Sequence, residues 1–147
     1  GGYHPSDRNL VRSGELFWNS TSGNTLAGNY FGTNALGDSY LSDVRISTIW
    51  SASPMLFDSN VMSGTMFIES ATSNTKITNN RFGTRADGTG VVSNGLQAIQ
   101  IGNVPQNRGS NKVLIANNTI TGKSTAIIID GNATYQSVNN TISGNNI

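Results

Sequence analysis

The sequence predicts an all-β solenoid, in which one chain winds through about five to six stacked coils. Three observations predict it. An asparagine-centred pattern recurs along the chain, a segment with alternating apolar residues follows each copy, and no segment has the capped 3.6-residue apolar period of a helix. We expect residues 1–147 to form a single domain of this kind and to be a fragment of a longer chain.

The asparagine-centred pattern is clearest in I-A-N-N-T-I-T-G, which covers residues 115–122. Each copy has an apolar residue, then an asparagine, then a second apolar residue. The copies recur at intervals of about 20–40 residues, and the longer intervals carry insertions on alternate coils. One asparagine per copy lines up, which gives the column Asn29, Asn60, Asn80, Asn118 and Asn140.

The alternating segments cover residues 15–19, 43–47, 65–69, 98–102 and 126–130. Their second and fourth positions are apolar, which is the pattern of a strand with one buried face. Stacked coils place equivalent residues on top of each other. The predicted inward columns are Leu16, Val44, Met66, Ile99, Ile127 and Trp18, Ile46, Ile68, Ile101, Ile129.

A physical reason favours asparagine in the turn of such a coil. A buried turn contains backbone groups that water cannot reach, and a side-chain amide both donates and accepts hydrogen bonds. Asparagine also tolerates the left-handed backbone that tight turns require. We therefore expect the aligned asparagines to form a hydrogen-bonded ladder through the stack.

Composition excludes several classes of function. Hydrophobic residues make up 35% of the chain and charged residues 12%, and the formal net charge is +1, so no basic surface for nucleic acid is expected. There is no cysteine, and no apolar run is long enough to cross a membrane. The eight acidic residues are spread along the chain, so we expect no metal and no cofactor.

The turns of the form N-N-x-apolar-x-G/T resemble those of the right-handed parallel β-helix of the pectate-lyase-like superfamily, over residues 9–147. The copies G-N-Y-F-G-T and N-N-R-F-G-T are also similar to bacterial repeat proteins of this fold. The resemblance implies that the alternating segments form a first sheet and that the asparagine turns join a second sheet to a third. It implies no single reaction, because lyases, hydrolases, epimerases, tailspikes and adhesins share this fold.

Long insertions are expected beside the first sheet. Residues 34–42 and 85–95 would leave the third sheet, and residues 48–53 and 103–111 would leave the first. Both sets would flank the outer face of the first sheet, where the resemblance implies a substrate groove. Variable loops on a rigid scaffold are common sites of function.

Three charged residues on this outer face are candidates for catalysis. Glu69 and Asp130 would lie in one column two coils apart, about 9–10 Å from each other, near the roughly 6.5–9.5 Å of an inverting glycosidase. Two solvated surface carboxylates give the same pattern. Arg45 would stabilise the charge that develops in a lyase reaction, or else pair with Asp43 or Glu69.

Aromatic and amide side chains are candidates for carbohydrate binding. Trp50 and Tyr40 would lie in loops on either side of the first sheet, and Gln100 would point outward from it. The alternative for Trp50 is that it packs its own loop onto the coil. Outward Phe17, Phe67 and Ile128 would be unusual on a solvated sheet, and they indicate burial by a neighbouring chain.

The leading hypothesis is a segment of a virus tailspike or similar extracellular spike that forms a homotrimer and binds a surface polysaccharide. An extended form of this hypothesis is that the spike also degrades the polysaccharide. The first alternative is an enzyme proper, a polysaccharide lyase or glycoside hydrolase. The second is a structural rod or bacterial adhesin without glycan chemistry.

Overall fold

The computed structural model describes residues 4–19, 23–49, 54–69, 74–93 and 95–147, without the side chain of Pro5. Within these residues, strands lie in three sheets of five parallel strands each. The chain visits the three sheets in turn and repeats this order five times. The architecture is therefore all-β and solenoid-like, with coils stacked as the repeat predicts.

Each coil contributes one strand to every sheet. The strands in chain order are β1 (Leu10–Val11), β2 (Gly14–Asn19) and β3 (Thr25–Ala27) in coil 1; β4 (Tyr30–Phe31), β5 (Val44–Ile49) and β6 (Leu56–Asp58) in coil 2; β7 (Val61–Met62), β8 (Thr65–Glu69) and β9 (Lys76–Thr78) in coil 3; β10 (Arg81–Phe82), β11 (Ile99–Ile101) and β12 (Leu114–Ala116) in coil 4; and β13 (Thr119–Ile120), β14 (Ile127–Ile129) and β15 (Thr141–Ser143) in coil 5. In every coil these three strands belong to the third, first and second sheet respectively.

Helical structure in the described part of the chain is limited to two short 3₁₀ turns, at Pro5–Asp7 and Val104–Gln106. No helix there has the length and apolar character required to cross a membrane. The prediction of almost no helix is confirmed for these residues.

The core consists of apolar columns that run along the inside of the stack. The parallel registers align one inward residue per coil in each sheet, and most of these side chains are fully buried. Phe31, Phe57 and Phe82 are among the largest. Burying a side chain of this size contributes roughly 1.5–3 kcal/mol relative to leaving it in water. Continuous columns therefore hold neighbouring coils together.

The register of β5 differs by two residues from the predicted one. Gly14 pairs with Val44, so Ile46 rather than Val44 aligns with Leu16 and Met66. Thr48 then takes the place between Trp18 and Ile68 that was predicted for Ile46. The long insertion before β5 therefore ends two residues later than the repeat suggests. Because a shift by an even number of residues keeps the same face inward, Val44 and Ile46 are both still buried.

Ile129 also differs from the prediction, because 43% of its surface is exposed. It lies in coil 5, where β14 has a neighbour on one side only, β11. Its column is correct, since Ile129 pairs with Ile101, but only one of its two faces is covered.

A row of asparagine side chains runs through the turn between the second and third sheets. The Oδ1 atom of Asn60 accepts hydrogen bonds from the backbone N–H of Asn29 at 2.9 Å and from its Nδ2 at 3.2 Å. Asn80 receives the same pair of bonds from Asn60, and Asn118 receives them from Asn80. The Nδ2 atoms also donate to backbone carbonyl oxygens. The amides of Asn60, Asn80 and Asn118 therefore bond to the preceding turn through the oxygen and the Nδ2 and to the following turn through the Nδ2.

The row includes two asparagines that the sequence alignment missed. Asn9 donates to Asn29, and Asn118 donates to Asn145 from both its backbone and its side chain at 2.9 Å. The prediction for Asn140 was wrong. Because Leu114 pairs with Thr141, Asn145 and not Asn140 comes opposite Asn118.

Asn140 instead lies at the corner that precedes β15. Its Oδ1 accepts from the backbone N–H of Val113 at 2.9 Å, and its Nδ2 donates to the carbonyl of Ser110 at 3.0 Å. The two N-N dipeptides near the end of the chain, 139–140 and 145–146, match the pattern equally well by letter. Only the strand register separates them.

The residue before most of these ladder asparagines has a left-handed backbone. Ser59, Asn79 and Asn117 have φ values of 55°, 56° and 57°. Gly28 takes the equivalent place before Asn29 with φ 66°. Glycine, asparagine and serine recur at this place because bulkier and β-branched residues are strained there.

Asn80→Ala tests the contribution of the asparagine row. Asn80 is 1% exposed, and its loss leaves the backbone N–H of Asn60 and the carbonyl of Phe57 without their partner. We expect the free energy of unfolding in urea to fall by roughly 1–3 kcal/mol. The control is Asn146→Ala, at an exposed side chain outside the row, which we expect to change stability by less than about 0.5 kcal/mol. Equal urea midpoints for the two variants would contradict this role.

Candidate functional site

A groove of about 250 Å³ lies on the outer face of the first sheet. Its lining residues are Gly14, Asp43, Val44, Arg45, Thr65, Phe67, Leu96 and Gln97. The fold positions it where β2, β5 and β8 begin, because these strands are parallel and start side by side. The lining combines apolar side chains with a carboxylate, a guanidinium and an amide, which is the usual composition of a ligand site.

Two long corners border the groove, residues 32–43 and residues 83–93 with 95–98, and we call them the rim loops. They are structurally similar, because each begins with an antiparallel bridge, Thr33 to Tyr40 and Thr84 to Val91. They also contact each other through a hydrogen bond of 2.8 Å from Ala86 N–H to the carbonyl of Gly37. They belong to coils 2 and 4.

Only the last residues of each rim loop reach the first sheet. Asp43 comes from the first loop, and Leu96 and Gln97 come from the second. The middle of each loop lies over the third sheet instead, where Gly37 packs beside the ring of Tyr30 and Arg81 Nη1 donates to the carbonyl of Ala86 at 2.5 Å. The sequence predicts that the rim loops flank the outer face of the first sheet. For most of their length they instead cover the third sheet.

Arg45 is the basic residue that lines the groove. Its Nε lies 3.1 Å from Glu15 Oε1 and 2.7 Å from Ser47 Oγ, and its Nη2 lies 3.8 Å from Glu69 Oε1. The guanidinium carbon lies 4.0 Å from the centroid of the Phe67 ring. The pairing predicted with Glu69 is present, whereas the first partner is Glu15 rather than Asp43. The shifted register of β5 explains this, because it aligns Arg45 with Glu15.

Glu69 is buried, with 1% exposure, and so is not the open surface carboxylate that alternation suggests. The corner that follows β11 folds over it. Asn103 Nδ2 donates to Glu69 Oε1 at 2.8 Å, and Arg108 Nη1 donates to Oε2. Sequence reasoning missed both partners, because nothing in a polar loop indicates that it will close over a carboxylate at the end of a neighbouring strand.

Asp130 belongs to the same column as Glu69, since both are aligned with Gly102 through the registers of β8, β11 and β14. Its Oδ2 accepts a hydrogen bond of 3.1 Å from the backbone N–H of Val104. Val104 begins the 3₁₀ turn in the corner that covers Glu69. The two predicted catalytic carboxylates are thus both bonded to residues 103–108, which lie between them.

The other candidates for carbohydrate binding differ in their positions. Tyr40 is 44% exposed, and its hydroxyl donates to Asp43 Oδ1 at 3.1 Å; partial burial and this hydrogen bond raise the pKa of Tyr40. Gln100 Oε1 accepts from Gln97 Nε2 at 3.3 Å, which places Gln100 next to the groove. Trp50 lies outside the described residues.

Lys123 lies beneath the rim of the groove and was not singled out by its sequence context. Its Nζ donates to the backbone carbonyls of Ser63 and Gly64, at 2.9 Å for Gly64. Burial lowers the pKa of Lys123 to about 8, against the opposing effect of the Asp43 carboxylate. The side chain thus connects coil 5 to coil 3, two coils away.

Three outward apolar residues differ in exposure. Phe17 is 53% exposed, and Phe67 and Ile128 are half-buried. Phe17 and Phe67 share one column with Ser47 between them, so they are about two strand spacings, or roughly 10 Å, apart. Phe17 therefore extends the apolar surface along the sheet beyond the groove.

Comparison of the chain with protein-family models, with curated proteins and with solved structures finds no match in any of the three. The function must therefore be argued from the site itself.

Arg108→Met tests the buried ion pair. The substitution leaves Glu69 buried with Asn103 and the more distant Arg45, and we expect it to lower the free energy of unfolding by about 3 kcal/mol. The double variant Glu69→Met/Arg108→Met should recover much of this loss, because the uncompensated carboxylate is gone. Urea unfolding measures both.

The matched control for this pair is Arg85→Met, at an exposed residue of a rim loop, with an expected change below about 0.5 kcal/mol. A loss for Arg108→Met no larger than for Arg85→Met would show that the pair does not hold the corner.

The pH dependence of stability tests the burial of Lys123. Its pKa is about 8 in the folded chain and 10.5 as the ordinary value, so between these limits the unfolded chain binds a proton that the folded chain does not. The free energy of unfolding should therefore rise from pH 7.5 to pH 9.5. Lys123→Met should abolish this rise, whereas Lys76→Met, at an exposed strand residue, should preserve it. The series stops at pH 9.5 because ionisation of Tyr40, whose pKa is raised, acts in the opposite direction. Parallel profiles for all three proteins would contradict the assignment.

Proposed function

We propose that the chain is a right-handed parallel β-helix of the pectate-lyase-like type and that the outer face of its first sheet binds a surface polysaccharide. The right hand is supported by the strong general preference for right-handed crossovers between parallel strands of one sheet. The asparagine turns and the cyclic strand order support the fold type.

The groove is the observation that carries the binding function. It is open on the outer sheet face, and its lining offers the apolar surfaces of Phe67 and Leu96 together with hydrogen-bonding groups on Asp43 and Gln97. A sugar ring presents an apolar C–H face and a polar edge of hydroxyls, so it matches both parts of this lining. The volume of about 250 Å³ is below the roughly 300–1,000 Å³ of cavities for drug-sized ligands, which suits one ring of a longer chain that continues along the sheet.

The wider context that we propose is an extracellular or virion spike that works as a homotrimer. The rim loops support an assembled state, because Leu36, Leu41 and Val91 are 72%, 47% and 54% exposed. Apolar side chains gathered on one border of a protein are typical of a surface that another chain covers. The contacts of Glu69 favour binding without cleavage, because a carboxylate held by Asn103 and Arg108 is not in a position to protonate a glycosidic oxygen.

Phe17→Ala tests glycan binding on this face. Phe17 is exposed, so the fold should tolerate its loss, and we expect the affinity for the bound polysaccharide to fall about tenfold, which is roughly 1.4 kcal/mol. The matched control is Tyr135→Ala, at an aromatic residue with 40% exposure that follows β14, away from the groove. A glycan array identifies the ligand, and calorimetry with the purified polysaccharide measures both variants.

Three outcomes would redirect the proposal. Release of reducing ends, or absorbance from unsaturated uronates, would indicate a hydrolase or a lyase. Binding of no glycan, with capture of a protein partner instead, would favour a structural rod or adhesin. Equal losses for Phe17→Ala and Tyr135→Ala would remove the outer face around Phe17 from the binding site.

A further inference from the structure

The charges around the groove carry an inference about its ligand, which rests on the function proposed above. We propose that the groove selects an uncharged, hydroxyl-rich glycan and discriminates against uronate-containing and sulfated polysaccharides.

Arg45 is the basic side chain of the lining, and the edge of its guanidinium formed by Nε and Nη2 already faces acceptors. Its Nε faces Glu15 and Ser47, and its Nη2 faces Glu69. One face of the guanidinium lies against the Phe67 ring. Tight recognition of a ligand carboxylate or sulfate requires two parallel N–H donors on one edge of the guanidinium. On the edge formed by Nε and Nη2, an anionic sugar would have to displace Glu15 and compete with Glu69.

The other cations near the groove are engaged as well. Arg108 is bound to Glu69, with only 19% of its side chain exposed. Lys123 donates to the carbonyls of Ser63 and Gly64. The charged residues of the lining and the charged residues close to them form a set of six. The carboxylates are Glu15, Asp43 and Glu69, and the cations are Arg45, Arg108 and Lys123. These six groups are therefore balanced, with three charges of each sign.

The polar groups of the lining suit a ligand that donates hydrogen bonds. Asp43 presents a carboxylate that accepts one hydrogen bond from Tyr40 and has further lone pairs for sugar hydroxyls. Gln97 adds an amide, which both donates and accepts. A ligand carboxylate would meet Asp43 and Glu15 instead, and like charges brought together across an interface are unfavourable.

A panel of polysaccharides tests the selection. Dextran, mannan and galactomannan serve as neutral probes, and polygalacturonate, alginate and chondroitin sulfate as acidic ones. Binding of the whole chain is measured by affinity electrophoresis and calorimetry at 20 and 300 mM NaCl. We expect at least one neutral probe to bind with an affinity that changes less than about twofold between the two salt concentrations, because ionic contacts are screened by salt and neutral contacts are not. Acidic probes of similar size should bind at least about tenfold more weakly.

The outcomes separate this inference from the proposed function. Tighter binding of an acidic probe, weakened by salt, would overturn the selection for uncharged glycans and leave polysaccharide binding intact. Binding of none of the probes, and of no glycan on an array, would overturn both.

Glu15→Gln provides an internal test of the mechanism. Glu15 is 45% exposed, so the variant should fold, and it releases one edge of Arg45 from its nearest carboxylate. We expect the affinity for polygalacturonate to rise about tenfold, while the affinity for the neutral probe changes less than twofold. The matched control is Asp87→Asn, which removes one negative charge from an exposed position in a rim loop. Equal gains for the two variants would mean that net charge, and not the occupied edge of Arg45, decides the selection, and would overturn the mechanism.

Discussion

The stacking of one coil on the next is the constraint on which the rest of the structure depends, and the asparagine row is its most specific part. An apolar column tolerates exchange between aliphatic and aromatic residues. One column of the third sheet, for example, contains Phe31, Met62 and Phe82. The amide of Asn80 tolerates no such exchange, because it accepts two hydrogen bonds from Asn60 and donates to Phe57 in the preceding turn, and it also donates to Asn118 in the following turn. Hydrophobic burial supplies most of the stability, while the amides determine the height at which each turn must lie.

The same stacking produces the candidate site. Parallel strands that begin side by side bring Glu15 and Arg45 together from adjacent coils, although they are far apart in the sequence. Arg45 then connects this pair to Glu69, which Arg108 reaches from the corner after β11. The groove and the corner that covers Glu69 are therefore parts of one charged network across four coils. In such a network each charge lies beside a charge of the opposite sign.

Sequence reasoning about the site succeeded only in part, for a geometric reason. It placed Arg45 and Glu69 on the outer face of the first sheet, because the alternation of apolar residues indicates which face of a strand points outward. It misjudged the exposure of Glu69, because exposure depends on where the corner of residues 102–113 folds, and that corner has no repeat to guide an alignment. Leu96 and Gln97 carry no signal in the sequence, since their role in the groove comes only from the end of a rim loop meeting β5 and β8.

The repeat by itself determined the all-β class, the approximate number of coils and the position of the asparagine turns, because each depends on residues close together in the chain. Only the tertiary structure decided which of two similar dipeptides joins the row, Asn145 rather than Asn140, and which residue of β5 lies beside Leu16. Both are questions of register between strands from different coils. A local pattern is satisfied by several registers, and hydrogen bonds between distant segments select one of them.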